Sequence, residues 1–362
     1  MIGKVSAGVR HLEPLRQLLF NRRDLFLQHN FRSRRQHFYE TYWREVCSVG
    51  GWECEQVGSA CFRVRAGDRV TYALGYYVQL DSPAILSIAE DKVLSRKLLM
   101  EIGAPVPKQL SYSVTDYAAA VEFMHKLEGA VVVKPAFGGG GKGVVTDIKD
   151  KATLIRATAK ASAINASVIV EEQVSGDNYR LLYLRGELID CVRRDFPTVV
   201  GNGRDRINKL LETENQQRLE AEQFTALSPI LMDASIKNFF RSRGMKPDMV
   251  PAEGSHVEVK AVVNQNSARD NHRVTQSVNK YYENLGHDIY KLTDISLLGI
   301  DVITPDISQP ATVCGGAINE INGTPAFHHH ELVAQQDRLS HVGPQVMASI
   351  LESAPVVIRK AG

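Results

Sequence analysis

The 362-residue sequence contains no run of about 18 apolar residues, the length that a membrane-spanning helix needs. Its opening stretch, MIGKVSAGVRHLEPL, lacks the apolar centre of a secretory signal. A membrane partner is therefore not expected, and the cytoplasm is the expected compartment. Net charge is nearly absent as well, since 43 Lys and Arg stand against 41 Asp and Glu, a formal +2. No field over the whole molecule asks for nucleic acid, so any anion site must be local. Cysteine is scarce. Cys47, Cys54, Cys61, Cys191 and Cys314 are odd in number and form no C-x-x-C pair, so neither a disulfide framework nor a thiolate zinc site is expected. The first three recur every seven residues, but Gly50, Gly51 and Gly58 interrupt any helix that would align them. There is no internal repeat and no low-complexity linker.

What is present is an ordinary globular composition, 44% hydrophobic and 23% charged, long enough for two or three packed subdomains. Helical spacing fills about 11 to 49 and stops at Gly50-Gly51. The arginines there, Arg22, Arg23, Arg32, Arg34, Arg35 and Arg44, are interleaved with Asp24, Glu40 and Glu45. They read as a solvated face or a subunit contact, with a homodimer as a candidate assembly, before they read as a polyanion site. WECEQV and ACFRVRAGDRVTYALGYYV alternate around an Ala66-Gly67-Asp68 turn, which predicts a small sheet with a hairpin. A helix is expected at 91–102, ending before Gly103 and the extended Pro105 and Pro107 segment. Further on come strands AVVVKP, VVTDI, SVIVEE, YRLLYLRG, ELIDCVRR, HVEVKAVV and GIDVITPD, with helices near 151–163, 205–226 and 230–243. The fold class is α+β (α/β).

Gly138, Gly139, Gly140, Gly141 and Gly143 surround Lys142. Bare backbone amides in such a loop approach phosphate oxygens closely. The string satisfies G-x-G-x-x-G, yet a Rossmann or Walker loop must lead into a helix, and the Walker form needs Ser or Thr after its Lys. Here Gly143 follows Lys142, and Val144-Val145-Thr146-Asp147-Ile148 is strand-like, which predicts a β-hairpin tip over phosphates. Protein kinases use a glycine hairpin too, but their H-R-D and D-F-G motifs are missing from this chain. Instead Lys134 ends the strand entering the hairpin, where its ammonium would meet the same phosphates. A flexible surface turn is the plainer alternative.

Triphosphate chemistry needs a divalent cation on hard oxygen ligands. Asp301 sits within an apolar strand, and Glu320 and Asn322, two apart, share one strand face. A lone strand carboxylate is often just a buried hydrogen-bonded group; three donors on two apolar strands favour a metal.

In order, Glu90-Asp91-Lys92, Val133-Lys134-Pro135, the glycine hairpin, Val170-Glu171-Glu172, Asp301 and Glu320-Ile321-Asn322 resemble the ATP-grasp superfamily over about 85–330. Tyr179-Arg180-Leu181-Leu182, Arg194, Val199-Val200-Gly201-Asn202-Gly203, Ile207-Asn208-Lys209-Leu210-Leu211 and the Asn264-Gln265-Asn266 run resemble the ATP-grasp part of cyanophycin synthetase and bifunctional glutathione synthetase.

This resemblance implies an ATP-grasp fold with a small amino-terminal domain at 1–90, an ATP-grasp domain at 91–345 with a lid at 105–175, and a tail at 346–362. It implies ATP and magnesium, with manganese as an alternative ion, and small carboxylate and amine substrates such as amino acids or peptides. Lys92, Lys134 and the hairpin would hold the phosphates. Glu171, Glu172 and Val174 would border the adenine, and Asp177 or Asn178 the ribose. Asp301, Glu320 and Asn322 would hold the metal. Arg194 with Arg269 or Arg273 would stabilise an acyl phosphate and the tetrahedral intermediate, an electrostatic role.

The expected reaction is carboxylate–amine ligation giving ADP and phosphate. A carboxylase or kinase-like ATP-grasp enzyme and a catalytically impaired nucleotide-binding module are the competing readings. This chain departs from the family pattern at Asn178, where an Asp is usual, and after Asn322, where Gly-Thr-Pro-Ala leads into His328-His329-His330-Glu331. The triple histidine reads as pocket lining or a helix start before a second metal site. The length leaves no room for the second ligase half of cyanophycin synthetase, so a single site is expected.

Overall fold

A computed structural model describes residues 22–335 and 342–356. The expected amino-terminal helix is present as α1, Arg22–Gly50, while 11–21 lie outside the described residues. Its Phe38, Tyr39, Tyr42 and Trp43 fall on one stripe and are buried completely or nearly so. Each such aromatic contributes roughly 1.5–3 kcal/mol of burial. Trp43 also donates its indole N–H to the Gly75 carbonyl at 2.7 Å. The stripe packs on an antiparallel meander, β1 Glu53–Gly58, β2 Cys61–Ala66, β3 Arg69–Leu74 and β4 Tyr77–Val78, paired in chain order.

Helices α2, Pro83–Glu90, and α3, Lys92–Glu101, abut at Asp91. Asp91 accepts hydrogen bonds from the Val93 and Leu94 amides at 2.9 and 3.0 Å, an N-cap that fixes where α3 begins.

Next comes a four-stranded antiparallel sheet in the order β5-β8-β6-β7, built from β5 Gln109–Ser113, β6 Val131–Pro135, β7 Val145–Ile148 and β8 Ser167–Glu172. Helices α4, Tyr117–His125, and α5, Lys151–Ser162, cover one face through Ala120, Met124, Leu154, Ala157 and Ala161. The β6–β7 hairpin pairs Val131 with Ile148 and Val133 with Val145, so the five glycines form its connection.

The central sheet is antiparallel throughout. Its order is β13-β10-β9-β14-β15, from β9 Asp177–Leu184, β10 Glu187–Arg194, β13 Asn271–Arg273, β14 Leu297–Thr304 and β15 Ala317–Asn322. Between β10 and β13 the chain forms a small unit of β11 Thr198–Val200, β12 His256–Glu258, α6 Ile207–Glu220 and α7 Ala234–Ser242 around Ile207, Ile236 and Phe240. The helix expected to 226 stops at Glu220 because Arg34 of α1 takes the carbonyls of Leu219, Ala221 and Gln223. The strand expected through HVEVKAVV ends at Glu258; the next amide, Val259, bonds the Pro197 carbonyl.

Helix α8, Lys280–Thr293, covers the central sheet through Tyr282, Leu285 and Ile289. From 346 the expected tail is instead part of helix α11, Gly343–Ser353, whose Val346, Met347 and Ile350 are buried in the α1 core. Two short helices, α9 Ala311–Cys314 and α10 His328–Glu331, complete the described chain.

Candidate active site

A cleft of about 690 Å³ is lined by residues of both large sheets, the glycine hairpin, α1, α3 and α10. Lys134, at the end of β6, places its Nζ 2.7 Å from Glu171 Oε1. The other oxygen of Glu171 lies 2.9 Å from Arg96 Nη2, and all three side chains are buried. A buried carboxylate flanked by two cations loses its hydration but gains two charge-assisted hydrogen bonds. Glu171 therefore faces Lys134 and Arg96, and it is the strand pairing Lys134↔Ile169 and Val132↔Glu171 that sets this approach. Burial lowers the Arg96 pKa from its ordinary value, and Glu171 opposes that shift.

Lys92 opens α3 directly after the Asp91 cap. Its Nζ donates to the Gly138 carbonyl at 2.5 Å and lies 3.0 Å from Glu320 Oε1. The hairpin needs its glycines, because Gly138, Gly140, Gly141 and Gly143 have φ of 113°, 65°, 67° and 74°. Asn264 donates its side-chain amide to the Gly140 carbonyl, so the asparagine run reaches the hairpin tip.

Strand register assembles the acidic end. Asp301 of β14 stands opposite Glu320 of β15 on one side and Arg180 of β9 on the other. A bulge follows Asp301, where the register jumps from Glu320 to Ile318. Arg180 clasps Asp301 with Nε at 2.5 Å and Nη2 at 2.9 Å, a bidentate pair. Asn322 Nδ2 lies 3.4 Å from Asp301 Oδ2. Asp301, Glu320 and Asn322 thus gather at one end of the cleft, and their hard oxygens suit magnesium or manganese. Among the described residues no group of three or more His, Cys, Asp or Glu is placed to hold a metal.

Arg194, at the end of β10, is buried and donates to the Val263 carbonyl. Burial pushes its pKa down to about 10, with a further push from Arg180 and an opposing pull from Asp301, so it keeps its charge at neutral pH. Arg180, Arg35 and Tyr76 also line the cleft. They escaped the sequence reading as site residues: Arg180 was visible only as part of a motif, and Arg35 and Tyr76 arrive from the amino-terminal elements. His328 and His329 of α10 line the cleft as well. His328 Nδ1 lies 2.9 Å from the Tyr39 hydroxyl, and the two imidazoles are 4.2 Å apart.

Lys142, Glu172, Val174 and Asn178 line the cleft with Lys92, Lys134, Glu171 and Gly138 to Gly141. Gly143, Asp177, Arg269 and Arg273 do not. Asp177 is exposed, with the Tyr179 hydroxyl 3.5 Å away. Arg269 is held on the Thr198 carbonyl at 2.8 Å and Glu214 at 3.0 Å by a short 3-10 turn that Ser267 and Asp270 cap. Arg273 binds the His330 carbonyl at 2.8 Å and lies 3.3 Å from buried Asp190. Of the expected arginines, Arg194 lines the cleft beside Arg180, whereas Arg269 and Arg273 lie off its lining on the contacts above.

The fold is shared. A bifunctional glutathione synthetase from Pasteurella multocida superposes over 83% of this chain and 41% of its own, with a TM-score of 0.54 at 22% identity. Residues 91–180 match the ATP binding domain of the carbamoyl-phosphate synthase L chain. These similarities bear out the resemblance to the ATP-grasp superfamily. Cyanophycin synthetase from Trichormus variabilis is 27% identical over 281 residues, 76% of this chain and 31% of that protein. The glutathione biosynthesis bifunctional protein of Mannheimia succiniciproducens is 28% identical over 276 residues, 74% of this chain and 36% of its own length. The chain therefore spans about a third of the length of the curated relatives it matches.

Proposed function

We propose that the chain is an ATP-dependent carboxylate–amine ligase that acts on amino acids or small peptides. The observation that carries this reading is the convergence of Lys92, Lys134, the glycine hairpin, Asp301, Glu320 and Asn322 on one cleft. Lys92 and Lys134 would hold the ATP phosphates, and the hairpin amides would close over them. Bound magnesium would neutralise the triphosphate and polarise the transferred phosphoryl group.

A substrate carboxylate oxygen then attacks the γ-phosphorus, the bond to ADP breaks, and an acyl phosphate forms. An amine attacks the acyl carbon, loses a proton, and phosphate departs. Arg194 and Arg180 would face the charge that grows on the acyl oxygens, as fixed guanidiniums in a partly desolvated site. Each Asp301 oxygen accepts one hydrogen bond from Arg180 and keeps a further lone pair, with which Asp301 would hold the metal together with Glu320 and Asn322. Adenine would sit near Glu172 and Val174, with Asn178 towards the ribose. The division into an amino-terminal domain, a lid about the β5-β8-β6-β7 sheet and a catalytic sheet fits this role.

ADP release, screened over pairs of amino acids with magnesium and followed by mass spectrometry, tests the reading. Release that depends on both an acid and an amine, with a condensed product, supports it. Release that needs bicarbonate, or no amine, favours the carboxylase or kinase reading. Nucleotide binding with no turnover favours a binding module, the reading that the bidentate Arg180–Asp301 pair would suit.

A further inference from the structure

The cleft has more cations at one end than its own carboxylates answer. Lys134 is answered by Glu171, Lys92 by Glu320, and Arg180 by Asp301. Arg35 and Arg194 line the same cleft, and among the described residues neither has a carboxylate in ion-pair contact. Arg35 is oriented instead by neutral acceptors, the Leu227 carbonyl at 3.0 Å and the Ser228 hydroxyl at 2.9 Å. The Nε atoms of both guanidiniums are buried and lack a partner among the described residues.

The imidazoles stand with these arginines. Tyr39 occupies His328 Nδ1, which leaves Nε2 for a ligand, and among the described residues the His329 ring makes a contact with His328 but no hydrogen bond. Burial lowers both pKa values well below the ordinary one, and Arg35 and Arg194 are the leading charges that add to this for His328. Neutral imidazoles beside two unanswered guanidiniums make a pocket of donors whose complement is a carboxylate. Uncompensated buried charge is costly, so a site that holds it in place is shaped for an anion.

We propose that Arg35, with His328 and His329, forms a second carboxylate subsite, so that the acid substrate is a dicarboxylate. One carboxylate would react near Arg194 and the other would be anchored on α1. The proposal rests on the ligase reading for the identity of the reacting group, but anion recognition at Arg35 is measurable without turnover. Tyr76, which lines the cleft from the amino-terminal sheet, and Ser228 would border the same subsite.

The test uses the full chain with magnesium and a non-hydrolysable ATP analogue. Succinate, glutarate and adipate are titrated against butyrate by calorimetry, in wild type and in Arg35→Gln. At least one dicarboxylate is expected to bind at least tenfold more tightly than butyrate, and Arg35→Gln is expected to remove that preference while leaving affinity for the analogue within twofold. Equal affinity for mono- and dicarboxylates, absence of dicarboxylate binding, or a preference that survives Arg35→Gln each overturns the subsite. ADP release is measured separately on the same samples. Dicarboxylate binding without amine-dependent turnover would overturn the ligase reading and leave the subsite standing, whereas turnover with monocarboxylates alone would do the reverse.

Discussion

Lys134 and Glu171 are joined at 2.7 Å inside the cleft wall, with Arg96 on the far oxygen of the same carboxylate. A residue expected to serve phosphate alone is therefore also part of a buried charge network. Lys134→Met should lower turnover at least about tenfold, equivalent to roughly 1.4 kcal/mol of transition-state stabilisation. It should also lower stability by about 1–3 kcal/mol, less than the full cost of an orphaned buried charge, because Arg96 remains. Adding Glu171→Gln would leave buried Arg96 without its carboxylate and should lower the melting temperature further. Wild-type turnover in a folded Lys134→Met variant would show that Lys134 does not clamp the phosphates.

Glu320 makes its ion pair with Lys92 at a partly open position, where such contacts are worth about 0–1 kcal/mol. Glu320→Gln should shift the melting temperature by less than about 2 °C. If Glu320 helps to hold magnesium, turnover should fall at least about tenfold and the magnesium requirement should rise. A magnesium titration of ADP release in both proteins reads this directly. An unchanged titration curve in a folded variant would remove Glu320 from the metal set.

The local parts of this structure were legible and the long-range ones were not. Hairpin β6–β7 could be read from Val131 to Ile148 because apolar alternation and a glycine cluster are short-range signals. The α3 start at Lys92 follows from the Asp91 cap, again a matter of three residues. Asp301, Glu320 and Asn322 were identifiable as donors on apolar strands, but the Arg180 clasp on Asp301 joins residues 121 apart and depends on β9 lying between β10 and β14. Sheet order carries no sequence period. Arg269 looked equivalent to Arg273 as a charge near the asparagine run; only packing decides that it is drawn to Glu214 of α6. Arg35 was hidden for a related reason, since six arginines of one long helix segment are alike until one of them meets the cleft.

Gly141 and Asn264 hold the hairpin tip. A methyl group on Gly141 would stand 2.7 Å from Asn264 Nδ2, and its φ of 67° is itself unfavourable for alanine by about 1 kcal/mol. Gly141→Ala should raise the KM for ATP at least about threefold, with a melting temperature within about 2 °C of wild type, because an exposed tip adds little to global stability. Asn264→Ala removes the donor to the Gly140 carbonyl and should speed amide exchange across 138–144 in the free protein. Unchanged exchange in that variant would show that the hydrogen bond does not restrain the hairpin.

The three consecutive histidines give the protein a pH response whose sign can be worked out. Burial lowers the pKa of His328, His329 and His330 below the ordinary 6.5, and for His330 the contact with Asp190 at 2.8 Å only partly offsets that. Between the depressed folded values and about 6.5 the unfolded chain binds more protons than the folded one. Stability therefore stands in full above about pH 6.5 and is lost as pH falls through that window. The slope is at most about 1.4 kcal/mol per pH unit for each imidazole, and less for His328 and His329, which are partly open to the cleft. Melting temperature should decline between pH 7 and pH 5, and the double variant His328→Gln with His329→Gln should show a shallower decline. Carboxylates titrate lower and are common to both proteins, so the difference between the two curves isolates the imidazoles. If the curves run parallel, the α10 histidines are not held neutral by the fold.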